Sequence, residues 1–134
     1  MEIRFATMKE VKSITASIRN KKIDYNTPSM VKKDIEESRL IIAVENNKIL
    51  GQLALVNEPR FSYVAIKRLC VYNKKNKDKG IASALINYAC NYTNKPIGAS
   101  PWTNNLASIN LFKKHGFEYQ YTYLENYNFY LKKC

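Results

Sequence analysis

The sequence predicts a mixed α/β domain of the α+β kind: one central mixed sheet of about six or seven strands, flanked by about four helices. Three observations carry that prediction. Short runs rich in Val, Ile, Leu and Tyr (39–45, 49–56 and 63–72) have the length and composition of strands. Apolar residues at helix spacing recur near the N-terminus and twice in the C-terminal half. The order is strand, two helices, three strands, helix, strand, helix, two strands, which puts an antiparallel half and a parallel crossover in one sheet. At 134 residues and 46% apolar composition, with no repeat or linker, residues 1–134 read as a single domain with its own core.

Each element has its own signal. Residues 2–7 alternate polar and apolar, as a strand does. From Met8 onward, Val11, Ile14 and Ile18 share a helical face, and residues 19–26 form a polar loop. Thr27 and Pro28 supply an N-cap and a first-position proline for a helix through Glu37, with Val31 and Ile35 inward. Asn46-Asn47-Lys48 turns strand 39–45 into strand 49–56, and Glu58-Pro59 ends that hairpin before strand 63–72. A helix starts near Lys79 and sets Ile81, Ala84, Leu85, Tyr88 and Tyr92 on one buried face. A short strand over 96–102 and a helix over 103–115 follow, the latter with Leu106, Ile109 and Phe112 inward. Gly116 then takes the left-handed position after the helix, and Phe117 folds back over its last turn. Two tyrosine-rich strands, 117–124 and 127–132, close the chain.

Composition removes several classes. No run reaches the length of a membrane span, and the first eight residues lack the apolar stretch of a signal peptide, so a soluble, cytoplasmic protein is expected. Cys70, Cys90 and Cys134 have no metal-type spacing and His115 is the single histidine, so no metal site is expected. No Gly-rich loop ends in Gly-Lys-Ser/Thr. The net charge of +11 is uneven: residues 60–134 carry twelve Lys/Arg against three Asp/Glu, and residues 1–59 ten against eight. Such asymmetry points to an anionic partner, whether phosphate-rich cofactor, nucleic acid or membrane surface, with a merely solvated basic face as the plain alternative. Nucleic acid ranks last, because no recognised binding motif accompanies the charge.

The informative segment is LCVYNKKNKDKGIASAL, from Leu69 to Leu85. An apolar strand ends, a basic turn follows, and a glycine stands at the first turn of a helix. Helix starts leave N–H groups unpaired and carry roughly half a positive charge, which suits a diphosphate. Gly80 and Ala82 keep side-chain bulk away from that position, and Lys75, Lys77 and Lys79 add positive charge.

Lys77-Asp78-Lys79-Gly80-Ile81-Ala82 resembles the pyrophosphate-binding motif of the GNAT family of N-acetyltransferases, Gln/Arg-x-x-Gly-x-Gly/Ala after an apolar strand. Asn105 through Gly116-Phe117 is similar to the family's later helix, which begins with Asn and ends in Gly-Phe. Val44 to Gly51 resembles its hairpin, and the element order matches over nearly the whole chain. The resemblance implies an enzyme that transfers an acetyl group from acetyl-coenzyme A to a primary amine by direct attack, the acceptor being a small molecule or a peptide. It implies that backbone amides of Lys77, Asp78, Lys79, Gly80, Ile81, Ala82 and Ser83 wrap the diphosphate. The strand backbone at Leu69, Cys70 and Val71 would pair with the pantetheine arm, and the Val71 N–H would steady the thioester oxygen. Asn105 would hydrogen-bond the pantetheine or order the opening between two splayed strands, and Lys113 or Lys114 would approach the 3′-phosphate.

Three departures from the family pattern stand out. Lys77 replaces Gln or Arg, keeping charge without the planar fork. Phe112 stands where many members have a tyrosine that protonates the leaving thiolate. No carboxylate occupies Ile66–Leu69, where members often place a base; Glu58 is the nearest acidic residue upstream and the candidate for that role. A catalytically weak or inactive coenzyme A-binding module of the same fold is therefore the competing expectation. His115 reads as a helix C-terminal residue favoured by the dipole. Alternation places Lys67 and Arg68 on opposite faces, so at most one serves an acceptor pocket, where it would repel cationic amines. An exposed tyrosine-rich last strand would suit a homodimer.

Overall fold

Unbroken burial over residues 40–43 and 51–56 shows that the central strands are covered on both faces. The computed structural model describes residues 1–18, 28–57, 59–73, 75 and 80–133. The loop expected over 19–26, the Thr27 cap, Glu58, Lys77–Lys79 and Cys134 lie outside them. The strands are β1 (Glu2–Phe5), β2 (Leu40–Glu45), β3 (Lys48–Asn57), β4 (Val64–Val71), β5 (Ile97–Ala99), β6 (Glu118–Tyr123) and β7 (Tyr127–Lys132). The helices are α1 (Val11–Ile18), α2 (Pro28–Glu36), α3 (Ile81–Tyr92) and α4 (Leu106–Lys114), with a 3-10 turn at Met8–Glu10 leading into α1.

The sheet order is β1-β2-β3-β4-β5-β7-β6, and only the β4–β5 pair is parallel. Ile41, Ala43, Leu53 and Leu55 face one way, into a cluster with Ile81, Leu85, Ile86 and Ala89 of α3 and with Ile109 and Phe112 of α4. Leu40, Ile42, Ala54 and Val56 face the other way, onto Ile14 and Ile18 of α1 and Val31 and Ile35 of α2. Two buried faces explain why β2 and β3 read as continuous apolar runs rather than alternating ones.

Two inward assignments are corrected. Leu106 is 66% exposed because, as the first residue after the Asn105 cap, it projects away from the core that Ile109 and Phe112 enter. Tyr92 is 60% exposed: it ends α3 past the edge of the core, where its ring meets Phe5 edge-on at 4.9 Å. Urea denaturation should therefore separate Leu106→Ala, costing under about 0.5 kcal/mol, from Phe112→Ala, costing about 3–5 kcal/mol. The expected helix ending is present: Gly116 has φ +86, and its N–H and that of Phe117 donate to the carbonyls of Lys113 and Phe112.

The N-terminal strand is tied to the 3-10 turn through Glu10. Its carboxylate accepts from the Thr7 N–H (2.7 Å) and Thr7 Oγ1 (3.0 Å), and it pairs with the Arg4 guanidinium. The Arg4 hydrogen bonds, more than the Thr7 ones, lower its pKa from 4.5 to about 2. A carboxyl depressed in the folded state stabilises above its unfolded pKa and loses that contribution as pH falls through the folded one. The melting-temperature gap between the native protein and Glu10→Gln should accordingly be full at pH 6 and close between about pH 4.5 and pH 2.

Candidate active site

Strands β4 and β5 pair only at Val64–Ile97, Ala65–Gly98 and Ile66–Ala99, and then part. Two local causes produce the wedge. On one side the chain after Ala99 follows β7: Asn128 N–H donates to the Pro101 carbonyl, Thr103 N–H to the Asn126 carbonyl, and Trp102 bridges Tyr127. On the other side β4 bulges. Cys70 opposes Gln52 and Lys67 opposes Ala54, so Arg68 and Leu69 together face Leu53, and Arg68 takes φ +52.

Beyond the bulge the register decides which backbone groups reach the wedge. Tyr72 N–H donates to the Leu50 carbonyl at 3.0 Å, and Gly51 opposes Val71. Antiparallel alternation then assigns the Cys70 backbone groups to Gln52 of β3 and turns the Val71 N–H away from β3, toward the side that β5 has left.

The bulge is held by a buried polar network. Asp34 of α2 is 2% exposed, although it lies between Val31 and Ile35 on the apolar face. Its carboxylate accepts from Arg68 Nε (3.0 Å) and Nη2 (3.1 Å) and from Arg39 Nε (2.6 Å). The Arg68 carbonyl accepts from Gln52 Nε2 (3.0 Å), whose Oε1 accepts from the Tyr72 hydroxyl (2.6 Å). Both ends of the unusual Arg68 backbone are thus anchored, its side chain to α2 and its carbonyl to β3. The Arg68 guanidinium is committed to Asp34, and Lys67 is the exposed cation at the cleft.

At the far end of β4, Gly80 caps α3 with φ +75, and a Cβ built there meets no atom within 4 Å. The helix start is therefore open, and the N–H groups of its first turn lack intrahelical partners. Such a start fits a diphosphate. Ser83 in that turn meets His115, whose Nε2 lies 3.0 Å from Ser83 Oγ. This contact sets the C-terminal end of α4, with Lys113 and Lys114, beside the open start of α3. Burial first, then the charges of Lys132 and Lys114, push the His115 pKa down. His115 stands at the C-terminal end of α4, as expected, with its ring held toward the neutral form.

A cleft of about 680 Å³ runs through the wedge. Ile66–Leu69, Asn105, Ser108 and Phe112 line one part of it; Phe61, Tyr63, Trp102, Tyr123, Leu124, Tyr127 and Phe129 line the other. The aromatic part falls into two groups joined through Tyr121: Phe61 stacks on Tyr63 (5.3 Å) and Tyr63 meets Phe129 (5.1 Å); Tyr127 meets both Tyr123 (5.4 Å) and Trp102 (6.2 Å); and Tyr121 meets Phe129 (5.2 Å) and Tyr123 (6.3 Å). A side chain at Gly98 would come within 2.8 Å of the Tyr63 and Phe129 rings, so glycine there lets them close over β5. The only charged residues lining the cleft, among those described, are Lys67 and Arg68.

The structure brings Leu69 and Asn105 to the cleft, with Val71 on the open side of β4, and Gly80, Ile81, Ala82 and Ser83 to the start of α3. Asn105 also caps α4, its Oδ1 accepting from the Ser108 N–H at 3.2 Å. Phe112 is 5% exposed against Phe117, so no hydroxyl stands at that position. Sequence reasoning missed Asp34 and most of the aromatic wall, of which only the tyrosines of the last strands were candidates for the cleft. Asp34 had a signal, an acid on the buried stripe of a helix; Phe61, Tyr63 and Trp102, drawn from separate segments, had none. Among the described residues no helix is long and apolar enough to cross a membrane, and no group of three or more His, Cys, Asp or Glu could hold a metal ion.

Residues 9–117 match the Acetyltransferase (GNAT) family, and the chain belongs to that family. Solved structures agree in fold. Ard1 from Thermoplasma volcanium superposes with a TM-score of 0.81 at 17% identity, over 98% of this chain and 95% of that one. Naa50 of Arabidopsis thaliana, solved with the bisubstrate analogue CoA-Ac-MVNAL, gives 0.78 at 21% identity, over 99% and 98%. NAA60 of the same plant, solved with acetyl-CoA, gives 0.78 at 14% identity, over 98% and 97%. No curated protein matches the sequence.

Proposed function

We propose that the chain, as one domain, transfers an acetyl group from acetyl-CoA to a primary amine by direct attack. The observation that carries this reading is the wedge between β4 and β5, with the open N-terminus of α3 following β4 in the chain. Backbone amides of Gly80, Ile81, Ala82 and Ser83, with those of Lys77–Lys79, would receive the diphosphate. Leu69, Cys70 and Val71 would flank the pantetheine arm, Asn105 would bind it or order the opening, and Lys114 would approach the 3′-phosphate. The acetyl-CoA and bisubstrate complexes of NAA60 and Naa50 support the donor and a peptide amine as one acceptor class.

In the reaction the neutral amine nitrogen attacks the thioester carbonyl carbon, and the Val71 N–H donates to the oxygen as it gains charge. Collapse breaks the C–S bond. An alkyl thiol has a pKa of about 8.5, low enough for the thiolate to depart without a phenol at Phe112. The ammonium proton passes to solvent, or to Glu58 as the candidate base. Direct attack is favoured over a covalent enzyme intermediate because no cysteine sits in an activated motif.

Phe112 and the lack of a carboxylate among the described lining residues favour a second reading, a coenzyme A-binding module with little turnover. Calorimetry with acetyl-CoA, followed by thioester consumption with an amine, tests both. Binding with steady consumption supports the enzyme; binding without it supports the module; no binding ends both.

A further inference from the structure

We propose that the acceptor end of the cleft takes an α-amino group borne on a bulky apolar or aromatic side chain, and rejects amines that carry a second positive charge. The inference rests on the acetyl-transfer reading above and names its acceptor class.

Three observations converge. Exposed large apolar side chains gather at one opening: Phe61 (50%), Trp102 (59%), Tyr123 (36%) and Leu124 (75%) all line this cleft. Apolar surface collected at a concave site marks a ligand with apolar bulk. Leu124 also has φ +51, a conformation in which a leucine is strained and a glycine or asparagine would not be. The hairpin tip therefore displays an apolar side chain at the mouth where an unstrained residue would offer none.

Charge supplies the third. Arg68 is neutralised by Asp34, while Lys67 is exposed and has no acidic partner among the described residues. A cation beside the acceptor repels polyamines and favours the neutral form of any amine that enters. With no carboxylate among the described lining residues to take a proton, the reacting fraction is the one already neutral. At pH 7 that is about one in ten for an α-amino group and roughly one in a thousand for a lysine side chain. Basicity and apolar bulk thus select the same acceptor.

Trp102 is the single tryptophan of the chain and stands in the cleft wall, so its emission reports occupancy directly. The test titrates the protein, with and without coenzyme A, using phenylalaninamide, glycinamide, a Phe-Ala-Ala-Ala peptide amide, Nα-acetyl-lysinamide and spermidine. Acetyl transfer from acetyl-CoA to each is followed in parallel. Phenylalaninamide should bind roughly ten- to a hundredfold more tightly than glycinamide, as expected for burying one aromatic side chain. Leu124→Ser should reduce that ratio while acetyl-CoA affinity stays unchanged, and Lys67→Glu should raise spermidine affinity. A peptide that outperforms phenylalaninamide identifies a polypeptide N-terminus as the source, and parity identifies a small molecule; both support the proposal. Equal binding of glycinamide and phenylalaninamide, or preference for spermidine or the lysine side chain, overturns it and leaves the acetyl-transfer reading intact. Failure to bind acetyl-CoA sinks that reading instead, while the Trp102 titration still decides the apolar preference.

Discussion

Asp34→Ala is expected to lower the unfolding free energy by about 3–5 kcal/mol, measured by urea denaturation with an unchanged m-value. The size follows from what is left behind. Asp34 is 2% exposed and accepts from two arginines; its removal strands Arg68, whose side chain is only 12% exposed, without that carboxylate. Arg39 keeps Glu37 at 2.6 Å and more water, so Arg39→Ala should cost distinctly less. The loss should also reach the cleft. Arg68 holds φ +52 because its side chain is anchored to α2 and its carbonyl to Gln52. With the α2 anchor gone, hydrogen exchange in β4 beyond Lys67 should accelerate more than in β2.

Gly80→Asp is expected to weaken acetyl-CoA binding by roughly a hundredfold or more, the equivalent of losing charge-assisted hydrogen bonds at the diphosphate. The substitution acts twice. It puts a carboxylate where the proposed function places phosphate, and it asks a side chain to adopt φ +75. Because a Cβ at Gly80 meets nothing within 4 Å, the fold should persist with only a small fall in melting temperature. Gly80→Ala separates the two effects: it carries the strain without the charge and should lose much less affinity. Equal loss in both variants would mean that backbone conformation, not charge, governs the site.

The elements were legible in the sequence because they depend on local pattern. Apolar runs at 39–45 and 49–56, the Asn46-Asn47 turn and Gly116-Phe117 each fold as their neighbours dictate. The glycine at the start of α3 was legible for the same reason, since strand, basic turn and helix follow one another along the chain. What escaped was set by tertiary contact. The β4 bulge needs Asp34, thirty-four residues away, and Gln52, sixteen away, before Arg68 can hold a left-handed conformation. The aromatic wall joins residues from the β3–β4 loop, the segment after β5 and the last hairpin. Leu106 and Tyr92 fit their helical stripes by count and miss the core because each lies at a helix end.

The outermost strand bears on how the protein behaves in a test tube. All six residues of β6 are exposed, its outer edge has no neighbouring strand among the described residues, and Glu118 is its one charged residue. Proteins commonly guard such an edge with lysine or proline within the strand. Here the guard is global: a net charge of +11 makes the molecules repel one another before their edges can meet. Salt shortens the reach of that repulsion, from about 10 Å at 0.1 M to about 3 Å at 1 M. Concentrated solutions should therefore turn cloudy with added salt and clear on dilution of the salt, the reverse of ordinary salting-in.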